Sequence, residues 1–131
     1  MKKILCTIII LVCFFSLTAF QCNEDESGNY EEELAELNQL KTDIETLAQS
    51  SVCNENETCK YIAFGSKACG GPKSYLLYST SISTEKLENL VSTYNQKESD
   101  FNTKWDVLSD CSYVNPPTSI ICENNNCVAV Y

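Results

Sequence analysis

Apolar and polar positions along the chain fall into runs of different period. The first run is continuous: behind Lys2 and Lys3, residues 4–20 are interrupted only by Cys6, Thr7, Cys13, Ser16 and Thr18. A charged start before such a stretch has the form of a signal peptide over residues 1–21. It is short for a membrane span, which needs about 20 apolar residues, so a retained signal anchor is the alternative. The second run is periodic. Leu34, Leu37, Leu40, Ile44 and Leu47 recur at spacings of three and four, which predicts a helix from about 30 to 49 with one narrow apolar stripe lying against the rest of the domain or against a partner. Asn29 is its expected N-cap. Glu31, Glu32 and Glu33 follow where the helix dipole favours negative charge, with Glu32 placed for a capping-box-like return.

A longer periodic run follows Ser83 and Thr84, either of which can cap it. Leu87, Leu90, Val91, Tyr94, Phe101, Trp105 and Leu108 share one helical face. Glu98 falls on that face where an apolar residue would be expected, so a kink or a stop near Ser99 is anticipated, with Asn102 as a second cap. Between the helices, residues 61–64 and 75–79 read as short strands around a glycine-rich turn, the second with a helical turn as its alternative. At the carboxyl end, residues 119–122 and 127–131 flank Glu123-Asn124-Asn125-Asn126, residues that tolerate positive φ, as in a β-hairpin. Helices and strands without βαβ alternation imply an α+β fold: two amphipathic helices with a small antiparallel sheet, stapled by disulfides.

Charge divides the chain. Of 131 residues 18 are acidic and 9 are lysine, with no histidine, for a net charge of -9. Residues 22–50 carry nine of the acids against Lys41 alone, so the acidity belongs mainly to a stem that like charges keep extended and solvated. The expected organisation is a signal peptide at 1–21, an acidic tether at 22–29 and a single disulfide-rich domain at 30–131. Nucleic acid is a poor partner for such a polyanion.

Nine cysteines in so short a chain approach the density of a disulfide scaffold, and a secretory start supplies the oxidising compartment. Cys6 and Cys13 would leave with the signal peptide. If Cys22 carries lipid, then Cys53, Cys59, Cys69, Cys111, Cys122 and Cys127 remain and can pair completely. Ordinary cleavage after Ala19 would strand a seventh. Six cysteines allow fifteen complete pairings. Local geometry favours Cys122 with Cys127 across the hairpin and Cys53 with Cys59 around a small loop. Cys69 would then meet Cys111 across the long helix, where closing about 41 residues contributes on the order of 4 kcal/mol. Zinc is disfavoured by the missing histidine and the absence of a C-x2-C spacing.

Cys22 directly behind the apolar run, followed by Asn23, Glu24, Asp25 and Glu26, resembles the start of Bacteroidota-type surface lipoproteins. That resemblance implies an acylated Cys22, an acidic surface-export signal and an outer-membrane or cell-surface location. Residues 17–21, Leu-Thr-Ala-Phe-Gln, depart from the strict lipobox, and the departure bears on cleavage rather than on export. The stretch Tyr61-Ile62-Ala63-Phe64-Gly65-Ser66-Lys67-Ala68-Cys69-Gly70-Gly71-Pro72, with Tyr75 to Ser79 after it and Ser109-Asp110-Cys111 later, is similar to a group of small exported bacterial proteins over roughly residues 53–131. The similarity implies no mechanism.

Candidate chemistry is sparse. Without histidine there is no Ser-His-Asp or Cys-His site, and no G-x-S-x-G elbow occurs. Gly70-Gly71-Pro72-Lys73 lacks the Walker pattern, and Ser66-Lys67 lacks the S-x-x-K spacing. Asp106, Asp110 and Glu123 are scattered, and none sits in an apolar context that would raise its pKa. Asn56-Glu57-Thr58 matches a glycosylation sequon, which matters only in a eukaryotic host. No catalytic residue, cofactor or metal is therefore expected. The leading expectation is a lipid-anchored binding or interaction module for a protein or carbohydrate ligand. Tyr61, Lys73, Tyr75, Tyr78 and Tyr113 are its candidate contacts, because tyrosine is favoured in recognition surfaces. Half-buried strand packing accounts for the same tyrosines. The alternatives are a hydrolase inhibitor presenting the loop from Cys69 to Lys73, and a carboxylate-based hydrolase.

Overall fold

A computed structural model describes residues 26–131. The signal peptide at 1–21, Cys22 and the acidic residues 23–25 lie outside the described residues. The fold is α+β: helix α1 (Glu26–Gln49), strands β1 (Cys59–Phe64) and β2 (Ser74–Ser79), helix α2 (Thr84–Lys104), then strands β3 (Ser119–Glu123) and β4 (Asn126–Val130). Helix α1 starts earlier than the stripe alone predicts, so Asn29 lies inside it rather than capping it. No helix among the described residues is long and apolar enough to cross a membrane.

The strands form two separate antiparallel hairpins rather than one sheet. In the first, Tyr61 pairs with Leu77 and Ala63 with Tyr75. Side chains alternate across a strand, so Ile62, Phe64, Leu76 and Tyr78 face the helices and join Leu37, Ile44, Leu87, Val91, Tyr94 and Phe101 in the core. The stripe of α1 thus packs against α2 and the sheet, as an amphipathic helix must to remove its apolar face from water. Tyr30 completes this end of the core, with its ring centroid 5.1 Å from Phe101 and 5.2 Å from Trp105.

Helix α2 runs unbroken through Ser99. Ser83 is its N-cap, accepting from the Lys86 backbone N–H. No second helix begins at Asn102, whose side-chain amide instead donates to the Ser66 carbonyl at 2.8 Å. Glu98, which breaks the apolar face, is buried and fully engaged. It accepts from the Ser66 N–H at 2.6 Å, the Lys73 ammonium at 2.8 Å and the Tyr94 hydroxyl at 2.7 Å. A buried carboxylate with three donors needs no kink to escape the core. Leu108 lies beyond the end of the helix and is 95% exposed.

In the second hairpin Asn124 and Asn125, with φ of 50° and 63°, form a two-residue turn between paired Glu123 and Asn126, shorter than the four-residue loop expected. Positive φ at both centres is the turn type whose twist suits a hairpin. Cys122 and Cys127 face each other across this ladder but are not bonded to one another. Cys122 is bonded to Cys53 and Cys127 to Cys59. The local pairings of Cys53 with Cys59 and of Cys122 with Cys127 are thereby corrected. Both hairpin cysteines project from the side that packs over the first sheet, so their partners are the cysteines beneath them. Cys69 and Cys111 carry no bridge.

Candidate functional site

The outer face of the first sheet has two ends. At one end the second hairpin lies over Cys59 and Ser79, and Ser79 is completely buried. Its hydroxyl donates to the Val52 carbonyl at 2.6 Å, and its N–H donates to the Ser51 hydroxyl at 3.0 Å. At the other end Tyr61 and Tyr75 stay open, their rings meeting edge to face at 5.6 Å. They are brought together by register, because Tyr75 pairs with Ala63, the next residue along the outer face from Tyr61.

Two further tyrosines join this end. Tyr113 arrives on the segment after α2, and Tyr131 follows β4. Desolvation pushes the Tyr75 phenol above its ordinary pKa, and the neighbouring Tyr113, Tyr61 and Tyr131 add to that rise. Tyr113 and Tyr131 are 79% and 75% exposed and Tyr61 is 42% exposed, so the rings form a surface rather than a core. Ile121 and Val130 are exposed on the adjoining hairpin.

Of the five predicted contacts, Tyr61, Tyr75 and Tyr113 come together. Tyr78 does not join them. It is 2% exposed on the inner face, its hydroxyl donates to Glu88 at 2.7 Å, and burial pushes its phenol far up. Three residues separate Tyr75 from Tyr78, an odd offset that places them on opposite faces of one strand. Lys73 is also elsewhere, paired with Glu98 on the helix side of the loop. Tyr131 was missed by sequence reasoning. Its parity with Cys127 along the strand direction is the signal that could have found it, since both then point toward the first sheet.

The loop carrying Cys69 is fastened from both sides. Gly65 and Ser66 donate to Asn95 and Glu98 of α2, and Ala68 donates to the Ser109 hydroxyl at 3.1 Å. The buried Lys67 ammonium donates to Asp110 at 3.0 Å and to the Ser112 carbonyl at 2.8 Å. The Ser112 hydroxyl and then Lys67 hold the Asp110 carboxyl below its ordinary range. Gly70 and Gly71, with φ of 93° and 83°, make the turn at the exposed apex.

A groove of about 310 Å³ between the helices has Leu37 and Phe101 in its floor and Glu33, Glu36, Lys97, Asp100 and Lys104 around its rim. Four of its five charges are paired, Lys104 with Glu33 at 2.5 Å and Lys97 with Glu36 at 3.8 Å, and Asp100 accepts from the Gln96 amide. The sulfurs of Cys53, Cys59 and Cys127 lie within 4.8 Å of one another, but all belong to bridges, and a metal needs thiolates. Comparison with protein-family models, with curated proteins and with solved structures finds no match to this chain.

Proposed function

We propose that the protein is an exported binding module, tethered at the cell surface through an acylated Cys22, that grips its ligand with the face formed by Tyr61, Tyr75, Tyr113 and Tyr131. The observation that carries this reading is the convergence of four phenols from three separate segments onto the one open end of a disulfide-fastened sheet. Tyrosine offers large contact area with little side-chain entropy to lose, and its hydroxyl gives a polar handle at the rim. The net charge of -9 disfavours polyanionic ligands, and a neutral sugar chain, recognised by ring stacking and hydroxyl hydrogen bonds, suits such a face. Asp110, one of the carboxylates weighed for hydrolysis, is paired with Lys67 at 3.0 Å.

The test is a panel of immobilised neutral oligosaccharides probed with the parent and with Y61A/Y75A/Y113A, after circular dichroism shows that both are folded. Binding by the parent that is lost in the variant supports the reading. No binding across the panel, or binding that survives the substitutions, removes the tyrosine face as a glycan contact. Anchoring is checked separately by intact mass of membrane-extracted protein, where an unlipidated mature chain beginning at Phe20 would sink the acylation of Cys22.

A further inference from the structure

Cys69 and Cys111 are exposed and unbridged in a protein whose other described cysteines are all oxidised. They are neighbours because the docked loop makes them so. The contacts of Ala68 and Lys67 to residues 109–112 lay the loop along the segment after α2, and this sets the Cys69 sulfur 3.5 Å from the Ser109 hydroxyl and 3.5 Å from the Asp110 carbonyl. Cys111 follows Asp110 directly in the chain, which brings its exposed thiol to the same corner as the Cys69 sulfur.

The two sulfurs are not equivalent. As a thiolate, Cys69 accepts from the Cys111 S–H and from the Ser109 O–H, with the Lys67 ammonium nearby, and these hold it below the ordinary thiol range. The same hydrogen bond pushes Cys111 up. An exposed thiol with a hydroxyl 3.5 Å from its sulfur, beside a second exposed thiol, is the arrangement of an attacking and a resolving cysteine.

We propose that Cys69 and Cys111 form a thiol–disulfide exchange site whose substrate is an accessible disulfide, with Cys69 as the attacking and Cys111 as the resolving thiol. In the first step the Cys69 thiolate bonds to one sulfur of the substrate disulfide, whose S–S bond breaks and whose other sulfur leaves as a thiolate. In the second step Cys111, losing its proton to solvent, attacks the Cys69 sulfur and expels the remaining half of the substrate. The protein loses two electrons and two protons and gains the Cys69–Cys111 bridge. The substrate gains the electrons and leaves as two thiols. Cys53 is 1% exposed, which closes its end of the Cys53–Cys122 bridge to exchange, and Cys59 and Cys127 are half-buried.

Oxidised glutathione is the probe, applied at pH 7 to the chain from residue 22 onward carrying C22S, so that Cys69 and Cys111 are its only thiols after mild reduction that leaves the Cys53–Cys122 and Cys59–Cys127 bridges intact. Intact mass and non-reducing peptide maps follow the products. The parent should finish with a Cys69–Cys111 bridge and no retained glutathione. C111S should stop at a glutathione adduct on Cys69, formed as fast as the parent consumes the probe, while C69S should acquire its adduct on Cys111 at least about tenfold more slowly. Matching melting temperatures of the two single variants exclude misfolding as the cause. Equal adduct rates in C69S and C111S, or a parent that accumulates glutathione on both cysteines, would overturn the proposal.

Discussion

Removing either interhairpin bridge alone should cost less than half of what removing both costs. Cys53–Cys122 and Cys59–Cys127 span 69 and 68 residues. Either one, closed in an otherwise open unfolded chain, would lower the entropy of that chain enough to stabilise the fold by about 4.4 kcal/mol. The second closure is smaller. Once Cys53 is joined to Cys122, the shortest path from Cys59 to Cys127 runs back through that bridge and covers only about a dozen residues, which corresponds to about 2.8 kcal/mol. The pair together then contributes about 7 kcal/mol, and each single removal, made while the other bridge holds, costs about 2.8 kcal/mol. The perturbations are C53A/C122A, C59A/C127A and the quadruple variant. Urea unfolding read by the single tryptophan gives the three free energies, with sucrose added to every sample so that the quadruple variant retains a measurable transition. Filling the space of the buried Cys53 sulfur poorly adds a packing cost, but that cost appears in both backgrounds and cancels from the coupling. Simple additivity, with the quadruple variant losing only the sum of the two single losses, would refute the nested-loop reasoning.

Other perturbations read different parts of the same frame. E98A leaves the Ser66 N–H, the Tyr94 hydroxyl and the Lys73 ammonium without their acceptor and should cost about 3 kcal/mol, while E98Q, which keeps one oxygen, should cost less; thermal melts that rank them equally would show that the carboxylate is not the hub. A Cβ at Gly65 would sit 2.9 Å from the Lys73 Cβ, whereas one at Gly70 meets nothing within 4 Å, and both glycines have positive φ. G65A should therefore destabilise by about 2 kcal/mol or more and G70A by about 1 kcal/mol, and a reversed order in urea titration would contradict the packing described. Glu33 is held low by Lys104 and Trp105, Glu88 by the Tyr78 hydroxyl and Lys60, and Asp110 by Ser112 and Lys67. Their contribution is present above the ordinary carboxylate range near pH 4 and is lost as pH falls through their depressed values. Melting temperature should fall over that interval, and a flat profile would mean these contacts add nothing.

Both helices are written in the chain because burial on one side of a helix imposes a period of about 3.6 residues, and the Leu34 to Leu47 stripe and the Leu87 to Trp105 face carry it. The asparagine turn at Asn124 and Asn125 was legible for a similar local reason, since few residues accept positive φ. Glu98 was misread as an interruption. Hydrophobic periodicity has no means of showing that donors from Ser66 and Lys73, more than two dozen residues away, converge on a carboxylate. Disulfide connectivity was hidden for the same reason, because it depends on which side of one hairpin is laid over the other. The tyrosine face stood between these cases. Strand parity was enough to separate Tyr75 from Tyr78, but only tertiary packing, of the segment after α2 and of the second hairpin, could bring Tyr113 and Tyr131 near Tyr75.

The positions of the bridges also give the molecule a mechanical polarity. Every element from β1 to β4 lies at or beyond Cys53, inside or beside the covalent ring closed by Cys53–Cys122 and Cys59–Cys127, while α1 lies wholly before it. A pull on the amino-terminal side, opposed by a load held on the tyrosine face, therefore meets only noncovalent contacts of α1, such as the packing of Tyr30, Leu37, Ile44 and Ala48 and the pairing of Glu33 with Lys104, before it reaches Cys53. Helix α1 would peel away and pay out about 90 Å of chain. At Cys53 the tension passes into sulfur–sulfur bonds, and the first sheet stays folded while the chain in front of it lengthens.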